Sequence, residues 1–372
     1  MYLQQLHLNQ FRNYSGQIVD FSAPKTILVG ANAQGKSNLL EAVELLSTLK
    51  SHRTSRDRDL IQNDTTAGQI TAMLQRDSGP LDLSLTLRAN GRRTLAVNSE
   101  SVRRHLDFLG HINMVQFSSL DLDLVRGGPG TRRSWLDTVL IQLEPVYAYL
   151  WQQYQQVLKQ RNAFLKQRRS NPNHPPDAAQ LPLWNQQLAS MGARVIQRRH
   201  RMLERLAPLA QQWHHAISGK QEHLTLTYAA NVNHDPAQPD QLYEAFLAQI
   251  EERAAAEYHQ GLTLTGPHRD EVDLLINETP ARQYGSQGQQ RTLVLALKLA
   301  ELQLIETVIG EPPLLLLDDV LAELDLNRQD QLLATIQDRF QTLITTTHLG
   351  AFEAKWLDSA QVLTVDNGNI QH

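Results

Sequence analysis

The sequence predicts an α/β protein in three parts: a mixed sheet around a phosphate-binding loop, an antiparallel β subdomain beside it, and an inserted helical-hairpin arm. Three observations predict this. Gly30-Ala31-Asn32-Ala33-Gln34-Gly35-Lys36-Ser37 has the pattern G-x-x-x-x-G-K-S, with apolar, partly β-branched Thr26-Ile27-Leu28-Val29 before it. Apolar residues at helical spacing follow from Asn38 onward, and strand, glycine loop and helix is the context the motif requires. Residues 68–97 alternate apolar and polar side chains in short runs, as half-buried strands do. Residues 132–169 and 183–217 change to helical spacing, and Asn171-Pro172-Asn173-His174-Pro175-Pro176 between them cannot continue a helix.

At the loop, chemistry follows from geometry. Gly30 and Gly35 let the backbone curl so that several N–H groups point at one anion. The helix beginning near Lys36 adds its positive dipole end. Ala31, Asn32, Ala33, Gln34 and Asn38 are expected to complete the phosphate cradle. Lys36 is expected to reach the β- and γ-phosphates of a nucleotide, and the Ser37 hydroxyl to hold Mg²⁺.

The 372 residues are enough for one large domain and a subdomain. There is no cysteine, which excludes disulfides and thiolate metal sites and suits a reducing cytoplasm. No apolar run approaches the roughly 18 residues of a membrane span, and Met1-Tyr2-Leu3-Gln4-Gln5 lacks the regions of a signal peptide. Net charge is −4, so nucleic-acid contact needs a local patch. Residues 131–215 hold 12 Lys and Arg against 4 Asp and Glu, whereas the whole chain holds 35 against 39. The middle is therefore basic within an acidic body.

In chain order, Leu3, Leu6 and Leu8 lead to Phe11-Arg12-Asn13-Tyr14, then Ile18, Val19 and Phe21. These read as two strands and a polar turn feeding the phosphate-loop strand. Arg12 and Asn13 fit either nucleotide contacts or surface turn residues. Residues 50–58 are a polar segment, basic in its first half. Strands are expected at 68–74, 81–87 and 94–97, the last two joined by an Asn90-Gly91 turn, with a further strand at 112–117. Two antiparallel helices of about 30 residues would make an arm about 45 Å long. Its apolar stripe would pair the helices, with Arg and Gln facing water or a partner. Residues 224–228 read as a strand and 241–258 as a helix. The expected division is 1–130, 131–220 (the arm) and 221–372.

The nucleotide core resumes near residue 285. Gly285-Ser286-Gln287-Gly288-Gln289-Gln290-Arg291 precedes an apolar helix; Ser286 is placed to cap it, and Gly288 permits close backbone approach. Such a helix start is an anion site. The apolar strand Leu314-Leu315-Leu316-Leu317 ends in Asp318-Asp319. Asp318 is suited to the Mg²⁺ shell and Asp319 to orienting or deprotonating an attacking water. Leu324-Asp325 follows, and the β-branched stretch 342–347 ends in His348, where a histidine can touch a γ-phosphate.

This order resembles the ABC-type ATPases of the SMC and RecF group. Within it the chain is most similar to the RecF family, through Phe11-Arg12-Asn13-Tyr14, Ser51-His52-Arg53, Gly127-Gly128-Pro129 with Arg132-Arg133, Arg161-Asn162-Ala163, Gly266-Pro267-His268-Arg269-Asp270, Ser286-Gln287-Gly288-Gln289 and Leu317-Asp318-Asp319-Val320. The resemblance spans nearly the whole chain. It implies an ABC-type ATPase head, with ATP and Mg²⁺ as cofactors. The signature would be Ser286, Gly288 and Gln289, Asp325 would lie in the following loop, and His348 would be a switch residue. Gln116 lies near where a glutamine that senses Mg²⁺ is expected. Two motifs depart from the general ABC pattern: Leu-Ser-Gly-Gly-Gln is here Gly285-Ser286-Gln287-Gly288-Gln289, and Asp-Glu is Asp318-Asp319. Both look like RecF, and the shorter second carboxylate implies slow turnover.

The resemblance also implies an ATP-dependent homodimer closing the site between two subunits, and duplex or gapped DNA bound without sequence preference. RecR and RecO would be partners in placing RecA on DNA. Arg53, Arg56, Arg58 and the arm's basic residues are candidates for DNA phosphates. Two other classes are open: a soluble ABC subunit of a transporter, and an SMC-like structural tether, which needs far longer arms.

Overall fold

In a computed structural model of the chain, the described residues are 1–170, 180–235, 238–321, 325–336, 339–352 and 354–371. The expected proline-rich break at 171–176 and Leu324 lie outside them. The chain forms two compact units, Met1–Leu122 with Arg291–His372, and Asp123–Gln290. No helix among the described residues is long and apolar enough to cross a membrane.

The first unit holds two six-stranded sheets. In one, the order is Asn369–Gln371, Ala360–Asp366, Lys25–Val29, Thr342–Thr346, Leu314–Asp318, Met114–Ser118. Its strands pair in parallel except at the C-terminal hairpin. Parallel strands covered on both faces read as continuous apolar runs. Here Ile27, Leu28, Leu315, Leu316, Leu317, Leu343 and Ile344 are all fully buried. The other sheet is antiparallel, in the order Tyr14–Asp20, Tyr2–Phe11, Ala67–Arg76, Gly79–Arg88, Arg93–Val97, Glu100–Val102.

The first two strands thus belong to the antiparallel sheet, through the pairing of Tyr2–Phe11 with Ala67–Arg76. A register shift between Leu3 and Gln5 explains a pattern that simple alternation cannot. Leu3 and Leu6 are three apart, yet both are buried, because the irregularity turns the strand between them.

The second unit is built on the helices Pro129–Leu143, Val146–Ser170 and Leu181–Ile217. Periodicity joins 132–169 into one run, but Glu144 and Pro145 divide it: proline carries no N–H to continue the ladder. The hairpin helices have 25 and 37 residues, so they span roughly 37 and 55 Å rather than 45 Å each. The expected helix at 241–258 is also two, Pro239–Glu252 and Ala254–Gln260, parted at Arg253.

The expected division at residue 220 is not where the units part. Leu224–Ala229 packs on the long helix and pairs with Glu271–Ile276, so residues 221–290 join the hairpin. Gly192 and Gly266 explain how closely this unit packs. A Cβ on Gly192 would lie 2.5 Å from the Phe246 ring, and one on Gly266 2.6 Å from the Tyr154 hydroxyl.

Three arginines expected to face water or a partner are instead buried. Arg161 is 1% exposed, donating to Glu257 at 2.6 Å, Thr263 at 2.8 Å and Asn185 at 2.9 Å. Arg199 is fully buried between Asp137, the Pro267 carbonyl and Asp270, with Tyr228 also donating to Asp270. Arg132 forks onto Glu271 at 2.7 Å. A guanidinium can be buried where its planar fork finds carboxylates and carbonyls, and these sites supply them. The segments 161–163 and 266–270 therefore meet in one internal network. Nearby, the Thr263 carbonyl can only accept, so His268 Nε2 carries the proton and Nδ1 accepts from the Tyr154 hydroxyl at 2.6 Å. Burial, with Arg269, Arg133 and Arg161 nearby, drives the His268 pKa down to about 4.

Removing one partner of a buried pair leaves the other's charge uncompensated, at about 3–5 kcal/mol. Arg161→Ala should therefore lower the melting temperature by about 10 °C, since about 1 kcal/mol moves a unit of this size by 2–4 °C. The double variant Arg161→Met/Glu257→Leu should recover most of the loss. Calorimetry on the three proteins checks this; a silent Arg161→Ala would refute it.

Candidate nucleotide-binding site

The carboxyl ends of the parallel strands gather the chemistry of the first unit, as open α/β sheets do. Gly30 follows Lys25–Val29, Asp318 ends its strand, and His348 lies just beyond Thr342–Thr346, which runs between them. Gly30 must be glycine for lack of space: a Cβ there would lie 2.3 Å from the Val365 carbonyl oxygen. Gly35 has φ +118°, and a Cβ would strike the Asn13 amide at 2.7 Å. Asn13 sits there as a clasp, donating to the Gln34 carbonyl at 2.8 Å and accepting from Asn38 at 2.8 Å.

Lys36 is 4% exposed, and its ammonium is held over the loop by the carbonyls of Gly30 (2.8 Å) and Ala31 (3.0 Å). Asn32 and Ala33 lie in the exposed outer part of the loop, and Ala33 has φ +65°. The Ser37 hydroxyl donates to Asp318 Oδ1 at 2.7 Å, as does Thr345 at 2.7 Å. Thr345 in turn accepts the Asp319 N–H at 2.9 Å. One threonine thus holds the Asp318 carboxylate and the Asp319 backbone. Asp319 has φ +54°, a left-handed conformation that costs a non-glycine residue on the order of 1–3 kcal/mol and marks a constrained position. Burial raises the Asp319 pKa, Lys36 opposes this, and the Asp318 charge adds to it.

The structure brings Ser37 and Asp318 into direct contact although 281 residues separate them. Gln116 lies on the strand next to that of Asp318, in register with Leu316, and its buried Nε2 has no hydrogen-bond partner among the described residues. His348 is exposed, with Nδ1 3.0 Å from the Thr347 hydroxyl. Asp325 caps the helix Leu326–Ile336 through the Arg328 N–H at 3.1 Å and also pairs with the Arg328 guanidinium.

Arg12 does not simply face the loop. Its guanidinium forks onto Glu41 at 2.6 and 2.9 Å and donates to the Asp59 carbonyl at 2.7 Å. Arg53 reaches Asn38 at 2.6 Å and Glu41 at 3.2 Å, while Arg58 is turned to the Thr65 carbonyl at 2.6 Å. Arg12, Asn13, Asn38 and Arg53 line one polar cleft of about 710 Å³ with Asn367 and Asn369. His52 donates toward Glu44 at 2.6 Å; burial works against its protonation, but the Glu44 contact prevails and raises its pKa.

Thr345, Glu41 and the C-terminal turn belong to no sequence motif of the site, yet in that turn Asn367 and Gly368 donate to Gln34 at 2.6 and 2.9 Å. The Asn367-Gly368 pair is a turn signal that marks the last hairpin, but its contact with residue 34 is not readable from a local pattern.

In the second unit, Ser286 and Gln289 form a reciprocal cap. Gln289 N donates to Ser286 Oγ at 3.2 Å, and Ser286 N donates to Gln289 Oε1 at 2.8 Å. This is the S-x-x-Q capping box at the start of the helix Gln287–Ile309. Gln289 is steadied further by Glu222 at 2.8 Å, and Gly288 occupies the first turn. Ser286 is exposed, and Tyr284 beside it is 72% exposed.

Among phosphate-loop folds, one class adds an antiparallel sheet to the nucleotide sheet and carries a Ser-x-Gly-Gln helix start in an inserted unit: the ABC-type ATPase head, and the fold and site place the chain there. The model of the RecF/RecN/SMC N terminal domain matches residues 2–371. The DNA replication and repair protein RecF of Acaryochloris marina (strain MBIC 11017) is 74% identical, with 100% of this chain and 99% of that protein covered. Its counterpart in Cyanothece sp. (strain PCC 7425 / ATCC 29141) is 69% identical, at 100% and 98% coverage. A solved structure of the recombination mediator protein RecF with ATP, in the RecFOR pathway, superposes with a TM-score of 0.92 at 31% identity, covering 100% of this chain and 97% of that one. The Smc head domain from Pyrococcus furiosus shares the fold, with a TM-score of 0.54 at 15% identity. The chain belongs to the RecF family.

Proposed function

We propose that the chain is an ATP-dependent DNA-binding protein of recombinational repair and replication, whose nucleotide acts as a clamp between two copies. The observation that supports this reading best is the Ser37–Asp318 contact beneath a loop built to hold phosphate. Two oxygens from residues remote in sequence meet at 2.7 Å, beside Lys36 and the second carboxylate, Asp319. Oxygen donors on a hydroxyl and one carboxylate suit Mg²⁺, which keeps several waters and takes its remaining ligands from phosphate. Ser37 and Asp318 would hold it, with Gln116 nearby; when bound, the ion would neutralise charge developing on the phosphates.

The chain's own groups do the rest. The loop N–H groups and Lys36 grip the phosphates and leave the terminal one facing outward. Asp319 orients an attacking water and accepts its proton, and His348 lies at the edge of the same strand ends. Asp319 is one methylene shorter than glutamate, which supports slow turnover. Ser286, Gly288 and Gln289 of a second copy would cover the γ-phosphate with a capped helix end, giving C2 symmetry with two nucleotides at the seam. ATP then favours the closed dimer through contacts that ADP lacks.

DNA would be held by its phosphates, in duplex or duplex–single-strand junctions. RecO and RecR are the partners that the resemblance implies, in keeping with a solved relative placed in the RecFOR pathway. Binding and hydrolysis would be reciprocally coupled. The test measures ATPase rate with and without DNA, and DNA affinity with and without ATP, in wild type and Lys36→Arg. Mutual enhancement that Lys36→Arg removes is the expected result. Equal DNA affinity in ATP, ADP and no nucleotide would overturn the clamp.

A further inference from the structure

The basic residues of the hairpin divide into two groups. Arg132, Arg161 and Arg199 are buried and paired inside the second unit. Arg194, Arg198, Arg201 and Arg205 of the helix Leu181–Ile217 are not buried. Their spacing of four, three and four residues places all four within about 60° of one another around the helix, along about 17 Å of its axis. The opposite face, with Val195, Arg199, Met202, Leu203 and Leu206, is buried, which settles that the stripe points outward.

Neighbouring cations at these spacings have Cβ atoms about 5–6 Å apart and repel by about 0.2–0.5 kcal/mol per pair. Little on the protein offsets this. Among the described residues, Arg198 alone of the four has an acidic partner, Glu144 at 3.2 Å, while Glu204 beside the stripe pairs with His200 at 3.4 Å. On the neighbouring helix Val146–Ser170, Arg161 turns inward, Arg168 lies over the Tyr258 ring and Arg169 reaches the Gln260 carbonyl, which leaves Lys159 and Lys166 as its other exposed cations. A straight row of planar guanidinium groups, three of the four without an acidic partner among the described residues, suits a linear polyanion with closely spaced phosphates, and each strand of duplex DNA carries one per about 3.4 Å of axis.

We infer that Arg194, Arg198, Arg201 and Arg205 form a contact rail for the phosphate backbone of duplex DNA. The inference rests on the DNA-binding reading above and names the surface that serves it. Contacts of this kind position the duplex and read no bases.

The test uses the full chain with ATP and Mg²⁺, and two 30-base-pair duplexes of unrelated sequence. Anisotropy titrations run from about 50 to 200 mM salt, the range in which phosphate contacts separate clearly. Replacing all four arginines by glutamine should weaken binding more than about 10-fold at the low-salt end, equally for both sequences. It should also reduce the log–log salt slope by about 3.6, or about 0.9 per arginine. The pair Arg201→Gln/Arg205→Gln should remove about half of that change, and four lysines in place of the arginines should keep the wild-type slope. Glutamine variants that match wild type in affinity and slope would overturn the rail and assign the stripe to an acidic partner. So would a lysine variant that binds as poorly as the glutamine one. Wild type that binds neither duplex would instead overturn the DNA-binding reading itself.

Discussion

Asp319→Asn is expected to lower ATP turnover by about 10²–10⁴-fold, the usual contribution of a positioned general base, while leaving ATP binding and ATP-driven dimerisation intact. The substitution keeps the shape of the side chain and removes its ability to accept a proton. The backbone stays anchored, because the Asp319 N–H still reaches the Thr345 hydroxyl. Asp318→Asn, by contrast, keeps an Oδ1 that can accept from Ser37 and Thr345 but removes the carboxylate charge, and should weaken Mg²⁺-dependent nucleotide binding as well. The pH dependence has a definite sign. Burial raises the Asp319 pKa from its ordinary value, and a base works only when ionised. Turnover should therefore rise with pH through that raised pKa, and Asp319→Asn should abolish this acidic limb. Single-turnover hydrolysis as a function of pH measures both effects; an unchanged limb in the variant would exclude Asp319 as the base.

Ser286→Arg should abolish ATP-driven dimerisation while the single chain still binds ATP. Ser286 is exposed and its hydroxyl caps the first turn of Gln287–Ile309. Its loss costs that helix about 1 kcal/mol, which the body of the helix can bear. The larger effect is at the proposed seam, where a bulky cation would stand at a helix start arranged for an anion. Sedimentation should show wild type shifting from monomer to dimer with ATP and Ser286→Arg remaining monomeric, with nucleotide affinity changed less than about 3-fold, or about 0.7 kcal/mol. Loss of nucleotide binding by the isolated Ser286→Arg chain would contradict that separation of roles.

Residues that act within a few positions of one another were the legible ones. The loop at 30–37 announces itself by spacing, and Asp318 by ending an apolar run. What local pattern could not convey was pairing across long stretches of chain. Arg161 and Arg199 look like other arginines on helices, because Glu257 and Asp270 lie 96 and 71 residues away. The leucine spacing at 3, 6 and 8 hides a register shift that only the partner strand reveals. Thr345 shows as a strand former, yet its hydroxyl links the Asp318 carboxylate to the Asp319 backbone because two parallel strands bring it there. Pro145 is visible in the sequence, but the helical spacing on either side of it masks the break that its missing N–H makes.

The central claim is that the phosphate loop of one copy works with the Ser286 helix start of another. Mixing Lys36→Ala with Ser286→Arg tests it directly, each variant being inactive alone. In the mixed dimer one site combines both defects, and the other combines an intact loop from the Ser286→Arg chain with an intact helix start from the Lys36→Ala chain. A shared site predicts that ATP hydrolysis reappears on mixing, and that it depends on both proteins. A mixture as inactive as its components would contradict a shared site and return each nucleotide to a single chain.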